Sequence, residues 1–338
     1  MPVIPTGQIE SLLNQQRSKN SGCSHPCAPT DCSGKVIESH TLQRSGSLKA
    51  IAKQGHVYKY LFSGDENPIL KVSLVGIKKA STFPGFCSKH DCDTFSPIEN
   101  KIFSADEEQC FLLAYRSIVY ELHCKCTASY PHEILDLASQ GKSYAMQQEV
   151  YKWFIAWQQG TANAQNELME EKLAADESLL KQSYQDYSHL VIMLDRPPPI
   201  VCSGVFNPEY DLRGRKLIDL ADLNTPADRV AFNLISLDNA GAAILSWCKS
   251  RCRVTDGFIE TIEDQRQSDL ADLILVCAFD WLENLYLNPE WWDKLPETTQ
   301  RYLNNRMILN LPFSPSAIPD TSATCLAPFN VKSVARVG

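Results

Sequence analysis

The sequence predicts an α+β protein: an N-terminal zinc-stapled hairpin module, a helical middle and a C-terminal mixed β and helix domain. Three observations carry that expectation. Cys23, Cys27, Cys32, Cys87 and Cys92 crowd the turn-rich front of a 338-residue chain that holds 13 cysteines. Tyr144 to Tyr184 contains no proline and a single glycine, as long helices require. After Arg196-Pro197-Pro198-Pro199 the apolar residues come in short runs bounded by turn signals, the pattern of strands. The expected divisions are residues 1–104, 105–188 and 189–310, with 311–338 a flexible, Pro-, Ser- and Thr-rich tail.

Taken in order, residues 6–17 read as a short amphipathic helix, and Lys35 to His40 as a short extended segment. Ser47 to Lys53 is a helical turn. His56 to Phe62 and Ile69 to Ile77 are β-rich runs joined by a turn over 63–68. A helix follows from about Ala105 to Cys126: Ser104 and Glu107 have capping-box spacing, and Phe111, Leu112, Tyr115, Ile118, Val119 and Leu122 form an apolar stripe. Leu190–Leu194, Ile200–Phe206, Val230–Leu237 and Ala242–Trp247 are the expected later strands. Helices over about 267–287 and up to Asn304 close the body, with Trp291 and Trp292 between them as an aromatic plug.

Composition narrows the functional classes. At 44% hydrophobic and 21% charged, the chain has the make-up of a folded globular protein. Apolar runs such as Leu273 to Phe279 are far short of the roughly 18–20 residues that cross a bilayer, so no membrane partner is expected. Met1 to Asn14 lacks a basic segment followed by an apolar one, and the chain reads as cytoplasmic. In a reducing compartment clustered thiols point to metal rather than disulfides. Cys110, Cys202 and Cys277, set in apolar stretches, read as small buried hydrophobes. The pairs Cys124-x-Cys126 and Cys248-x3-Cys252 have no partner knuckle nearby and read as ordinary thiols. There is no Gly-rich phosphate loop, dinucleotide fingerprint, nucleophile elbow or His-Glu-x-x-His helix.

Charge is divided along the chain. Eleven Lys and Arg against five Asp and Glu give residues 1–90 a charge of +6, which leaves −14 for the remainder of a chain whose formal charge is −8. A basic front suits a phosphate backbone, with Lys35, Arg44, Lys49, Lys78, Lys79 and Lys89 as the contacts. The acidic C-terminal half suits a protein partner.

Zinc takes four thiolate or imidazole ligands in a tetrahedron, usually two from each of two knuckles. Cys87-x2-His90 makes one knuckle. The other comes from Cys23, Cys27 and Cys32, three cysteines for two places. The intervening loops are too polar to hold themselves by burial, so a structural Zn2+ would supply their folding free energy.

A cysteine knuckle, then Val36-Ile37-Glu38-Ser39-His40, two strands and Phe86-Cys87-Ser88-Lys89-His90-Asp91 leading towards a helix resemble a degenerate HNH (ββα-metal) nuclease module over residues 23–100. That resemblance implies a phosphodiester hydrolase with His40 as general base, Asp91 as ligand of a catalytic Mg2+ or Mn2+, and Asn67 as the residue that orients the base. Ser39 stands where the family has an acidic residue, and the second knuckle ends in His rather than Cys. Residues 32–46, 55–58 and 85–91 also resemble signatures of uncharacterised bacterial proteins found near phage-defence genes, which implies a context and no activity. Two functions are therefore expected: an HNH-like nuclease or nucleic-acid-processing effector, or a non-catalytic zinc-stabilised binding or sensing adaptor. His56, at a strand start, reads as a histidine with a satisfied hydrogen bond.

Overall fold

The computed structural model describes residues 22–63, 69–128, 135–136, 139–220, 222, 224–309 and 318–338. The expected helix over 6–17, most of the turn over 63–68, and Asn67 lie outside the described residues. The chain is mixed α+β, as expected.

An antiparallel ribbon comes first. Its strands are β1 (Val36–His40) and β4 (Thr82–Cys87), with Val36 opposite Cys87 and His40 opposite Thr82. Between them the chain makes a helical turn over 44–51 and then departs into β2 (His56–Ser63) and β3 (Ile69–Gly76). Those two strands belong to a different sheet. It has eight antiparallel strands in the order β10-β5-β8-β7-β6-β9-β2-β3, where β5 is Tyr187–Leu194, β6 Ile200–Phe206, β7 Val230–Ser236, β8 Gly241–Cys248, β9 Leu285–Leu287 and β10 Val331–Val337. The expected hairpin is real, but it extends the main sheet through the pairing of Tyr58 with Leu287.

The sheet is covered on both faces. Every residue of β7 and β8 is buried, so these strands read as continuous apolar runs rather than alternating ones. On β5 alternation decides the partner: Leu190, Ile192 and Leu194 face α4 (Thr255–Glu263), α5 (Gln267–Trp281) and α7 (Glu297–Leu309), whereas Tyr187 and Val191 face α2 (Glu107–Thr127). The stripe read from the sequence is the buried face of α2, from Phe111 to Leu122. Its cap differs from expectation. Asp106, not Ser104, accepts the Gln109 N–H at 2.8 Å, because Ser104 instead donates its hydroxyl to the Asp106 carboxylate.

Tyr144–Lys181 is one uninterrupted helix of 38 residues, α3, with Gly160 inside it. Tyr115 joins it to α2 by donating to Asp176 at 2.7 Å, and Asp176 also takes Lys172 at 2.6 Å. Two further expectations are corrected. The helix expected to reach residue 287 ends at Trp281, and Leu285–Leu287 passes into β9, a strand too short to show a period. The expected flexible tail carries β10, which pairs with β5. It is tied down because the Asp272 carboxylate on α5 accepts the N–H groups of Cys325, Leu326 and Ala327 at 2.6–2.7 Å. Trp292, on the short helix α6 (Pro289–Lys294), is core as expected, and Cys110, Cys202 and Cys277 are buried. Among the described residues no helix is long and apolar enough to cross a membrane.

Candidate metal centre

The knuckle over 22–35 has almost no apolar side chain to bury, and its position is set by hydrogen bonds. Ser24 N–H donates to the Gly85 carbonyl at 2.8 Å, which pins the first cysteine beside β4. At the other end, Gly34 has φ 109°, where an L side chain would be strained, and turns the chain into β1. From the facing side, β4 runs directly into helix α1 (Ser88–Glu99), with Cys87 as its N-cap residue. His90 lies one turn later, so the spacing Cys87-x2-His90 brings both side chains to one end of the helix.

These elements gather Cys23, Cys32, Cys87 and His90, whose donor atoms all lie within 4.8 Å of one another. The Nδ1 atom of His90 is 3.4 Å from the Cys23 sulfur, 3.6 Å from that of Cys32 and 3.4 Å from that of Cys87. Zinc bond lengths of about 2.3 Å to sulfur and 2.0–2.1 Å to nitrogen give a tetrahedral S···N edge of about 3.6 Å. The four donors therefore fit a zinc ion, and they fill all four positions. Cys27 is the expected ligand that does not join: its N–H instead donates to Nδ1 of His25 at 3.2 Å. Among the described residues this is the one set of three or more such donors close enough to share an ion.

The surroundings of Cys87 favour thiolate. Cys87 is held down to about 6: burial works against its charge, but the N–H groups of His90 and Ser33 outweigh it. Cys32 moves the other way, to about 11, through burial and then through its hydrogen bonds with Cys23 and Cys87. Several thiolates this close repel one another, and a divalent cation removes the conflict. His25 stacks on His90 with ring centres 4.0 Å apart, and burial followed by His90 lowers it to about 4. Ser33 bonds the Ser88 hydroxyl at 2.8 Å and accepts the Lys89 N–H at 3.1 Å, so the knuckle caps the helix that carries the other ligands. Neither His25 nor Ser33 was singled out from the sequence. The available signal was adjacency alone, His25 lying two residues after Cys23 and Ser33 directly after Cys32.

The residues of the nuclease resemblance are placed separately. His40, at the end of β1, is half-buried and donates from Nε2 to the Ile77 carbonyl at 3.2 Å, leaving Nδ1 as its proton-accepting atom. Burial lowers its pKa and Ile77 acts against that shift. Asp91, in the first turn of α1, has one buried oxygen, Oδ1, without a hydrogen-bond partner. Neither residue belongs to the metal-ligand set. His56, as expected of a strand-start histidine, bonds the Gln54 carbonyl at 3.0 Å.

Helix α1 is locked to the body by Arg116 of α2, which meets Glu99 at 2.7 Å and lies 3.9 Å over the Phe95 ring. The six basic residues are all exposed, and none forms an ion pair among the described residues. Lys35 precedes β1, and Lys89 lies between two metal ligands. Lys78 and Lys79 follow β3 beside Ile77, whose carbonyl holds His40, and Arg44 is near enough to His40 to disfavour its protonation. No protein-family model, curated protein or solved structure matches the chain, so its reading rests on these residues alone.

Proposed function

We propose that this chain is a non-catalytic, zinc-stabilised binding protein whose β1–β4 ribbon takes an anionic backbone such as nucleic acid. The observation that carries the reading is the closed donor set: three cysteines and a histidine occupy every position of a tetrahedral ion and leave none for water or substrate. The metal then acts as a structural staple, holding a ribbon flanked by exposed Lys35, Arg44, Lys78, Lys79 and Lys89, none of which forms an ion pair among the described residues. Each cation placed on a phosphate releases a counterion and makes affinity fall with salt.

A second reading, an HNH-like nuclease, draws on Asp91. Its buried oxygen without a partner sits one residue after a zinc-site histidine, and a catalytic Mg2+ or Mn2+ would satisfy it. In that reading His40 Nδ1 takes the proton of an attacking water.

One set of preparations separates the two. Wild type, Cys87→Ser and His40→Ala are tested for zinc by elemental analysis, for salt-dependent binding of DNA and RNA oligonucleotides, and for cleavage in Mg2+ or Mn2+. One zinc per wild-type chain, binding and no cleavage is the expected result. Cleavage lost in His40→Ala with zinc retained would replace the adaptor with the nuclease. Zinc without binding or cleavage would remove nucleic acid as the partner.

A further inference from the structure

Where α2 crosses the sheet, polar side chains stand in a row on three neighbouring strands. Asn233 of β7 lies directly opposite Ser203 of β6, whose N–H donates in turn to the carbonyl of Asn284, the residue before β9, at 3.3 Å. From the facing helix, the Ser117 hydroxyl comes within 3.0 Å of that of Ser203 and 3.2 Å of Asn233 Oδ1. Ser117, Ser203 and Asn233 are completely buried, and Asn284 nearly so. The neighbouring contacts of α2 with β5, β7 and β8 are apolar, Leu113 meeting Val191, Ile235 and Ile244.

The row joins three parts of the molecule. Asn284 Nδ2 donates to the Ser203 carbonyl at 2.9 Å and to the Thr41 hydroxyl at 2.8 Å. Thr41 directly follows β1, and its hydroxyl bonds that of Ser81, which also accepts the Leu42 N–H at 2.9 Å. A chain of polar groups thus runs from the ribbon through the sheet to α2.

Two atoms of this chain are left over. Asn233 Nδ2 and Asn284 Oδ1 are both buried, and neither has a hydrogen-bond partner among the described residues. An amide atom cut off from solvent and from any partner is costly, and native interiors hold few of them. The two orphans differ in kind. One is a donor and the other an acceptor, so a cation would satisfy only Asn284 and an anion only Asn233. Water satisfies both. With the Asn233 amide reversed, water would donate to two oxygens instead, and the neutral Thr41, Ser117 and Ser203 would not offset the charge of a cation there. Strands β7 and β9 flank β6 and lie about 9.6 Å apart, a span that two amides and one or two waters fill across the small Ser203.

We infer that an internal water site lies under α2 between β7 and β9, where water accepts from the Asn233 amide and donates to that of Asn284, directly or through a second water. The hydroxyl oxygens of Ser117 and Ser203 offer spare lone pairs beside it, in keeping with the two to four partners of a buried water. The site depends on neither reading of the function. Through Asn284 and Thr41 its water becomes part of the joint between the ribbon and the sheet.

A high-resolution crystal structure of the full chain tests this directly. Water density is expected within about 2.7–3.2 Å of Asn233 Nδ2 and of Asn284 Oδ1, as one shared peak or two linked ones. Well-ordered amides with either orphan left dry would overturn the site. Oxygen-17 relaxation dispersion, which counts waters held for longer than the protein takes to tumble, gives the solution test. Asn233→Leu, with circular dichroism matching wild type, should lose at least one such water; an unchanged count would equally overturn the proposal. The crystal structure needs only wild type, so the test stands even where Asn233→Leu fails to fold.

Discussion

Two regions of this molecule are ordered by different physics. The sheet and its helices are held by burial: β7, β8 and residues 270–280 of α5 are buried throughout, and Phe232, Trp247, Phe258 and Phe279 are fully enclosed. The knuckle over 22–35 has nothing comparable to bury, and its Cys23 and Cys32 converge with Cys87 on a single imidazole. The lesson is that one chain can carry a region positioned by backbone hydrogen bonds and a cluster of metal-binding side chains beside a region positioned by burial.

The largest expected effect breaks the comparison outright. Chelation, or Cys87→Ser, should release the knuckle over 22–35 while the ribbon, α1 and the eight-stranded sheet persist, because Phe83, Phe86 and Phe95 are held in the core whereas the knuckle depends on a metal that binds small fingers with about 10–16 kcal/mol. Limited proteolysis should then cut within 22–35 and spare β5 to β8; cleavage spread through the sheet would show that the metal supports both regions. The reciprocal change, Phe111→Ala in the contact between α2 and the sheet, should cost about 3–5 kcal/mol and lower the melting temperature of the whole chain. One zinc per folded molecule should remain, by elemental analysis.

Acid sharpens the comparison within the sheet. His189 on β5 is completely buried and bonds the Ser246 hydroxyl at 2.8 Å, and burial, aided by Lys249, lowers it from 6.5 to about 4. Between those values the unfolded chain binds a proton that the folded one does not, so stability falls as pH drops through 6.5 and levels off near 4. The loss is on the order of 3 kcal/mol. In chemical denaturation, His189→Gln should flatten the pH dependence over that window relative to wild type. A smaller effect, about 1.5–3 kcal/mol, is expected from Asp272→Asn, which removes the charge that three backbone N–H groups share. Hydrogen exchange should rise selectively across Val331–Val337.

Which parts of this were legible in the sequence follows from the same division. The stripe Phe111 to Leu122 announces the buried face of α2 because a helix repeats its environment every turn. Cys32, Cys87 and His90 are legible because knuckle spacing is a local constraint. The choice of Cys23 over Cys27 is not local: it depends on the bond from Ser24 to Gly85, across more than sixty residues. Strand β10 is illegible for a related reason, since its order comes from β5 and Asp272, and the polar residues before it give no hint of either. The pairing of the β2–β3 hairpin with β9 is likewise a property of the assembled sheet.

The ribbon has a topological consequence. Its two strands are separated by residues 41–81, and that excursion supplies β2 and β3 to the main sheet and buries Leu42, Leu48 and Val57 against Val201 and Tyr286. Tyr286 even accepts the Ser81 N–H at 2.6 Å, one residue before β4 begins. The metal centre is thus stitched into its host rather than hung from it. Unlike a portable finger that can be cut out and grafted, it is assembled by the fold it decorates. A metal held by Cys23, Cys32, Cys87 and His90 would report whether distant strands had already found one another.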